Sequence, residues 1–382
     1  MNGTELTAAD LGRWQMRAGI AGGVALGLCG IGAAADPAQL WRSYLVGYLF
    51  WFGITLGCFA LLMLHHMVGG GWGAVIRRLL ESGTRTLPLM AVALLPVLLN
   101  LPSLYVWARP DALAHDPALE HKTFYLNVPF FLARTAFYFA VWLGLSHLLN
   151  KASALQDREG MAAGRGRLQT LSAPGLLLYG FTASFASVDW VMSLEPHWFS
   201  TIYGVIFMVG GALSTLAFVI VALLLMGDRK PISDTLKPSH FHDLGTLMFA
   251  FVMLWAYTCF SQFLIIWAGN IPEETPWYLR RFHGGWGWIA WGLVGFHFAL
   301  PFLLLLVREY KRRVRVLAMV AGGMLLMRLV DLFWVVAPAF HENHLQVHWL
   351  DLAAPVGVGG IWIAYFLAQL RKRPLAPLEG SL

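Results

Sequence analysis

Charge is scarce in this chain. Only 13% of its 382 residues are Asp, Glu, Lys or Arg, 58% are hydrophobic, and the mean hydropathy is +0.62. A water-soluble protein of this length could not bury that much apolar surface. Stretches polar enough to form an extramembrane domain are missing too. Cysteine is nearly absent: Cys29, Cys58 and Cys259 all lie in apolar runs and form no CxxC or CxxCH. That speaks against an iron–sulfur cluster, a zinc ribbon, covalently attached haem c or a disulfide framework in this chain. Spaced pairs of deep histidines are lacking as well, since His65 and His66 are adjacent and near a span end. A b-type haem is therefore not expected, nor is any metal site or covalently bound cofactor. The net charge of +6 does not point to nucleic acid, because the basic residues sit in short loops between apolar runs.

What is abundant is apolar sequence in membrane-length pieces. A bilayer core takes about 20 apolar residues per helix. Ten stretches qualify: 15–35, 42–66, 86–108, 127–149, 170–193, 198–226, 243–268, 284–307, 315–337 and 348–370. The run 72–82 reads as a short interfacial helix. The segment before "GAAAD" carries Glu5 and Asp10 and lacks a basic start, so the first stretch reads as a retained helix rather than a cleaved signal. Of the 27 Lys and Arg, Arg42, Arg109, Lys122, Arg280 and Arg281 fall on one side of this topology. Arg134 and Arg328 lie inside spans, and the remaining 20 fall on the other side. This bias places both termini in the cytoplasm. The expected fold is an all-α polytopic membrane protein forming one integral membrane domain over residues 1–382.

An internal repeat emerges on alignment of the spans. Gly47, Phe50, Gly53 and Leu56 recur at the same spacing as Gly204, Phe207, Gly210 and Leu213. "LYVWA" ends the third span and "LIIWA" the seventh. Val188-Asp189 precedes Pro196 as Val330-Asp331 precedes Pro338. The expected organisation is a first helix (15–41), a four-helix bundle (42–193), a second bundle in the same orientation (198–337) and a last helix (348–370).

The candidate functional residues are the few ionisable groups inside these spans. A charge at membrane depth is costly, so it faces the bundle interior and takes a partner. Arg328 and Asp331 share a helix face. Arg134 has no carboxylate in its own span, and Asp189 on the next antiparallel span is its expected partner. The outer rim adds Glu195, His197, His348 and Asp351, while His341 and His344 read as ordinary loop residues. Carboxylates and histidines together can take up and pass on protons. An inner half of such a route has weaker candidates in His65, His66, His147, His297, Ser261 and Gln262. Structural roles compete with this reading, since Arg–Asp pairs also pin helices together.

The stretches "SFASVDWVMSLEPHWFSTIYG" and "FYLNVPFFLARTAFYFAVW", with ten spans and paired four-helix units, resemble the ActF-type membrane subunits of alternative complex III. These belong to the wider polysulfide-reductase, or NrfD-like, family. The resemblance implies a multi-pass subunit of the bacterial inner membrane in a quinol oxidoreductase hetero-oligomer. Its implied partners are a related ten-span subunit, a periplasmic iron–sulfur subunit, haem c subunits and small membrane subunits. It implies a proton pathway, with quinone or quinol and lipids as possible ligands, and its motif covers Asp189, Glu195 and His197. With no electron carrier of its own, the chain is not expected to be an enzyme alone. A stand-alone secondary transporter and a structural docking scaffold are the alternatives.

Overall fold

The computed structural model describes residues 5–113, 116–159, 161–341 and 343–374. It is helical throughout these residues, with no strand beyond one isolated bridge between Glu5 and Lys230. Twelve helices carry the architecture: α1 (Ala8–Ala35), α2 (Pro37–Val68), α3 (Gly71–Thr84), α4 (Leu87–Leu99), α5 (Val128–Glu159), α6 (Met161–Trp190), α7 (Tyr203–Met226), α8 (Pro238–Gly269), α9 (Thr275–Phe282), α10 (Trp286–Leu306), α11 (Val314–Val336) and α12 (Leu350–Leu370). Among the described residues, nine of these are long and apolar enough to cross a membrane. The α3–α4 pair, bent by 41°, makes a tenth if counted as one span. The chain is a polytopic all-α membrane protein.

Local chemistry sets the helix ends. Thr7 and Asp10 form a reciprocal capping box at the start of α1. Asp36 alone separates α1 from α2. Its carboxylate accepts from the Gln39 backbone N–H at 3.0 Å, and Pro37 occupies the first turn of α2. Gly69 and Gly70, at φ of 74° and 99°, turn the chain from α2 into α3 in a conformation that favours glycine.

α2 and α7, the two helices with the recurring glycines, stand at the centre and pack on each other. A Cβ on Gly211 would sit 2.9 Å from the carbonyl oxygen of Gly53, so only glycine permits this approach. The Thr215 hydroxyl donates to the Ile54 carbonyl across the seam at 2.9 Å. Around this pair lie α6, α8, α11 and α12, and α1 docks on α12 at the periphery. The loops sort into two polar ends. Leu6 N–H bonds the Lys230 carbonyl, Arg229 pairs with Asp10 and Arg371 bonds Gln15, all at the arginine-rich end. At the opposite end Lys122 bonds the Pro196 carbonyl and Leu345 bonds Gly284. By the charge bias the first end is cytoplasmic.

Two expectations need correction. The first helix begins at Ala8 rather than residue 15, because the capping box starts it before the apolar run. The run 72–82 forms the amphipathic helix α3, which buries Ile76, Leu79, Leu80 and Glu81 against its neighbours. Its Arg77 and Arg78 pair with Glu81 on the same helix. The expected span 86–108 ends as a helix at Leu99, where Asn100 and Pro102 interrupt it. The Asn100 side chain caps the freed Pro96 carbonyl at 2.9 Å.

The α1–α12 crossing is equally intimate: a Cβ on Gly22 would lie 2.7 Å from the backbone nitrogen of Ile361, whereas one on Gly23 would meet nothing within 4 Å. Gly22→Ala is expected to destabilise the protein by about 1–3 kcal/mol. Gly23→Ala should leave it unchanged or slightly more stable. Thermal unfolding midpoints of the two variants in detergent check this.

Candidate functional site

Asp189 lies at the last turn of α6, with none of its surface exposed. Arg134 of α5 grips it with two parallel bonds, Nε to Oδ2 and a terminal nitrogen to Oδ1, both 2.9 Å. This bidentate fork is the strongest geometry available to such a pair. Tyr138, one turn along α5, donates to Oδ2 at 2.7 Å. The guanidinium also lies over the Tyr125 ring at 3.8 Å and bonds the Tyr125 carbonyl. Farther into the membrane, aromatic side chains surround this site: Tyr48, Phe52, Phe139, Trp142 and Trp190 stack in mutual contact. Their indole N–H groups are satisfied by Thr182 and Thr135.

Asp331 and Arg328, buried on α11, pair with each other across one helical turn. The guanidinium fills the space where a side chain at Gly210 of α7 would stand. The two acids thus recruit arginines differently, Asp189 from the neighbouring helix and Asp331 from its own.

Glu195, on the outer rim between α6 and α7, is held by Arg280 at 3.1 Å and Arg281 at 2.6 Å. Arg281 is fully buried. It stacks over Trp277 at 3.6 Å and donates to the carbonyls of Trp277 and Val335, tying α9 to α11 beside Asp331. Both arginines were missed by reasoning from the spans, which placed them among the outer loop charges. A rim glutamate that becomes buried was the available signal, because it needs a cation nearby. Asp351 heads a separate outer cluster: it accepts from Ser43 at 2.6 Å, Gln39 at 3.1 Å and the His348 backbone N–H at 2.8 Å. His341 joins it, donating through Nε2 to Gln39 at 3.3 Å, so it is not an ordinary loop residue. Burial, with Arg42 nearby, holds the His341 imidazole below the usual histidine range. His197 is exposed and pairs with Asp116 at 2.8 Å.

The inner candidates do not form one group. His66 bonds Ser172 at 3.0 Å, and His65 sits edge-on to Trp72. His147 is exposed on α5. Gln262 is in the outer part of α8, where it bonds Ser200 and Tyr278. It and Ser261, one residue before it, therefore belong to the outer half. His297 is fully buried at mid-membrane. The inner carboxylate that the sequence reading overlooked is Glu81 of α3. It is 1% exposed and is held by Arg77, Arg78, Arg373 and Ser153 from three parts of the chain. Among the described residues, no three His, Cys, Asp or Glu side chains come together in an arrangement that could hold a metal ion.

No family model matches the chain. Over 171 residues it is 29% identical to a selenate reductase subunit of Mesobacillus selenatarsenatis. The matched segment is 44% of this chain and 38% of that protein, so the likeness spans about two fifths of the relative's length. The likeness is to a reductase component, in keeping with the broader part of the sequence resemblance. It does not single out the ActF type.

Removing one partner of a buried pair strands the other charge. Arg134→Met is therefore expected to cost about 3–5 kcal/mol, and the double variant Arg134→Met/Asp189→Leu much less than that. Unfolding midpoints of the single and double variants measure the difference.

Proposed function

We propose that this chain is a membrane subunit of a respiratory oxidoreductase complex, contributing a buried acid/base route for protons. The observation that carries the reading is the placement of two ion-paired carboxylates in the outer part of the bundle. Asp189 is 0% and Asp331 4% exposed, and each is next to groups able to exchange protons. Tyr203, buried on α7, lies within electrostatic reach of Glu195 and Arg281 on the rim and of Arg328 and Asp331 within. A buried phenol is thus within electrostatic reach of an acid on the rim and of a second acid within. The similar Mesobacillus protein is named as part of a selenate reductase. By that analogy the redox centres lie in other subunits, and this chain serves them.

The finer reading includes alternative complex III membership, with a related membrane subunit, an iron–sulfur subunit and haem c subunits as partners. It also includes a quinone headgroup at the outer cluster. Trp198 Nε1, Trp334 Nε1 and Arg281 Nε are buried donors without an acceptor among the described residues, and they are the groups that would hold a quinone carbonyl. When bound, the quinone supplies two-electron, two-proton chemistry; this chain's part is to orient it and receive protons.

The test is proton release per electron in the purified complex. In the assembled complex, Asp189→Asn and Asp331→Asn should each lower the yield and the rate, by about a hundredfold in rate for a direct relay, and each also lowers stability because its arginine loses a charged partner. Unchanged stoichiometry and rate in both variants would leave a docking scaffold. Purification of the chain alone or as a homo-oligomer, without haem-bearing partners, would favour a transporter.

A further inference from the structure

α10 runs from Trp286 to Leu306, and its central residues Leu293–Ala299 form a π-helical stretch. Its cause is local. Pro301 has no N–H to give the carbonyl of His297 four residues earlier, and its ring clashes with that carbonyl in a regular α-helix. The wider turn relieves the clash. It also sets His297 at the middle of the span, eleven residues from one end and nine from the other.

The ring it presents is fully buried, and neither Nδ1 nor Nε2 has a hydrogen-bond partner among the described residues. Buried polar atoms in this condition are rare in proteins and call for a bound polar group. Across from it, the Trp255 indole of α8 stands edge-to-face at 4.3 Å and 76°. The Trp255 N–H faces the Asp331 carboxylate without completing a hydrogen bond of normal geometry. Arg328, the partner of Asp331, also acts on His297 electrostatically. The titratable and charged groups around this point are thus Asp331 and Arg328 on α11, Cys259 one turn beyond Trp255 on α8, Tyr203 on α7, and His297 itself.

We propose that His297 is the mid-membrane station inward of Asp331, joined to it along the edge of Trp255 by an internal water. This rests on the proton-route reading above and names its next member. A single water offers two donors and two acceptors, which can serve an imidazole nitrogen, the indole N–H and the carboxylate. The transfer balances simply. Protonated Asp331 gives its proton to the water as the water gives one to a ring nitrogen of neutral His297. The Asp331 carboxylate is then ionised beside Arg328, and the imidazolium can release a proton from its other nitrogen. Asp331, Arg328 and His297 together carry one positive charge before and after, so only the proton's location changes. In the first bundle, the indole N–H groups inward of Asp189 are satisfied and no histidine stands among the rings, although the buried Tyr48 hydroxyl there also has no hydrogen-bond partner among the described residues.

The experiment uses the intact complex reconstituted in liposomes. His297→Gln keeps one donor and one acceptor but cannot carry the proton. It should lower proton transfer about a hundredfold, matching Asp331→Asn, with electron transfer retained when the proton gradient is collapsed. Trp255→Phe, which removes only the N–H, should slow transfer less. A high-resolution map of the wild-type complex should show ordered density within hydrogen-bond distance of both His297 and Trp255 Nε1. Wild-type transfer in His297→Gln, with Asp331→Asn impaired, overturns the role of His297 alone. Wild-type transfer in Asp331→Asn overturns the parent reading. If His297→Gln fails to assemble, the map decides, and a dry contact at both ring nitrogens overturns the proposal.

Discussion

Charge can enter an apolar bundle only in company, and that constraint organises this molecule. Asp189, Asp331, Glu195 and Glu81 each sit where an isolated carboxylate would be prohibitive, and each is met by one or more arginines. The arginines come from an adjacent helix for Asp189, the same helix for Asp331, an outer amphipathic helix for Glu195, and for Glu81 its own helix joined by the tail of α12. Because a guanidinium offers five donors in a fixed fork, each pair also commits neighbouring carbonyls and rings to one arrangement. The helices therefore pack around a small number of polar points rather than around a uniform apolar core.

The close approach of α2 and α7 at their glycines serves the same end. It brings α6 and α11, which carry the two aspartates, against the same central pair. Gly210 is part of the recurring glycine pattern and also makes room for the Arg328 guanidinium. Its neighbour Gly211 meets the packing need, so two adjacent small residues serve packing and electrostatics side by side.

Much of this was legible from residues alone. Span positions and the sorting of loops followed from apolar length and arginine bias. Both intramembrane arginines were matched to the correct aspartates, because a lone charge in a span leaves few choices of partner. What escaped reading depended on contacts between distant parts of the chain. Glu81 looked like a surface residue because its own helix is amphipathic, and nothing local shows that Arg373, 292 residues later, returns to it. Arg281 looked like a topology signal until the fold buried it. Gln262 was assigned to the wrong half although the apolar run 243–268 already puts it near the outer end, and the helix end at Gly269 before the left-handed Asn270 agrees with that run. His341 seemed idle because its partner, Gln39, begins the second span.

Arg373 and Trp362 bear on how the molecule is put together in time. Trp362 completes the Thr55–Thr86 hydroxyl chain at 2.8 Å, and Arg373 reaches Glu81, Ser153 and the Asn150 carbonyl. During synthesis the first six helices must therefore reside in the lipid with these groups incompletely met. The arrival of α12 locks a seam laid down much earlier, so the early half is finished only once α12 and Arg373 have been made.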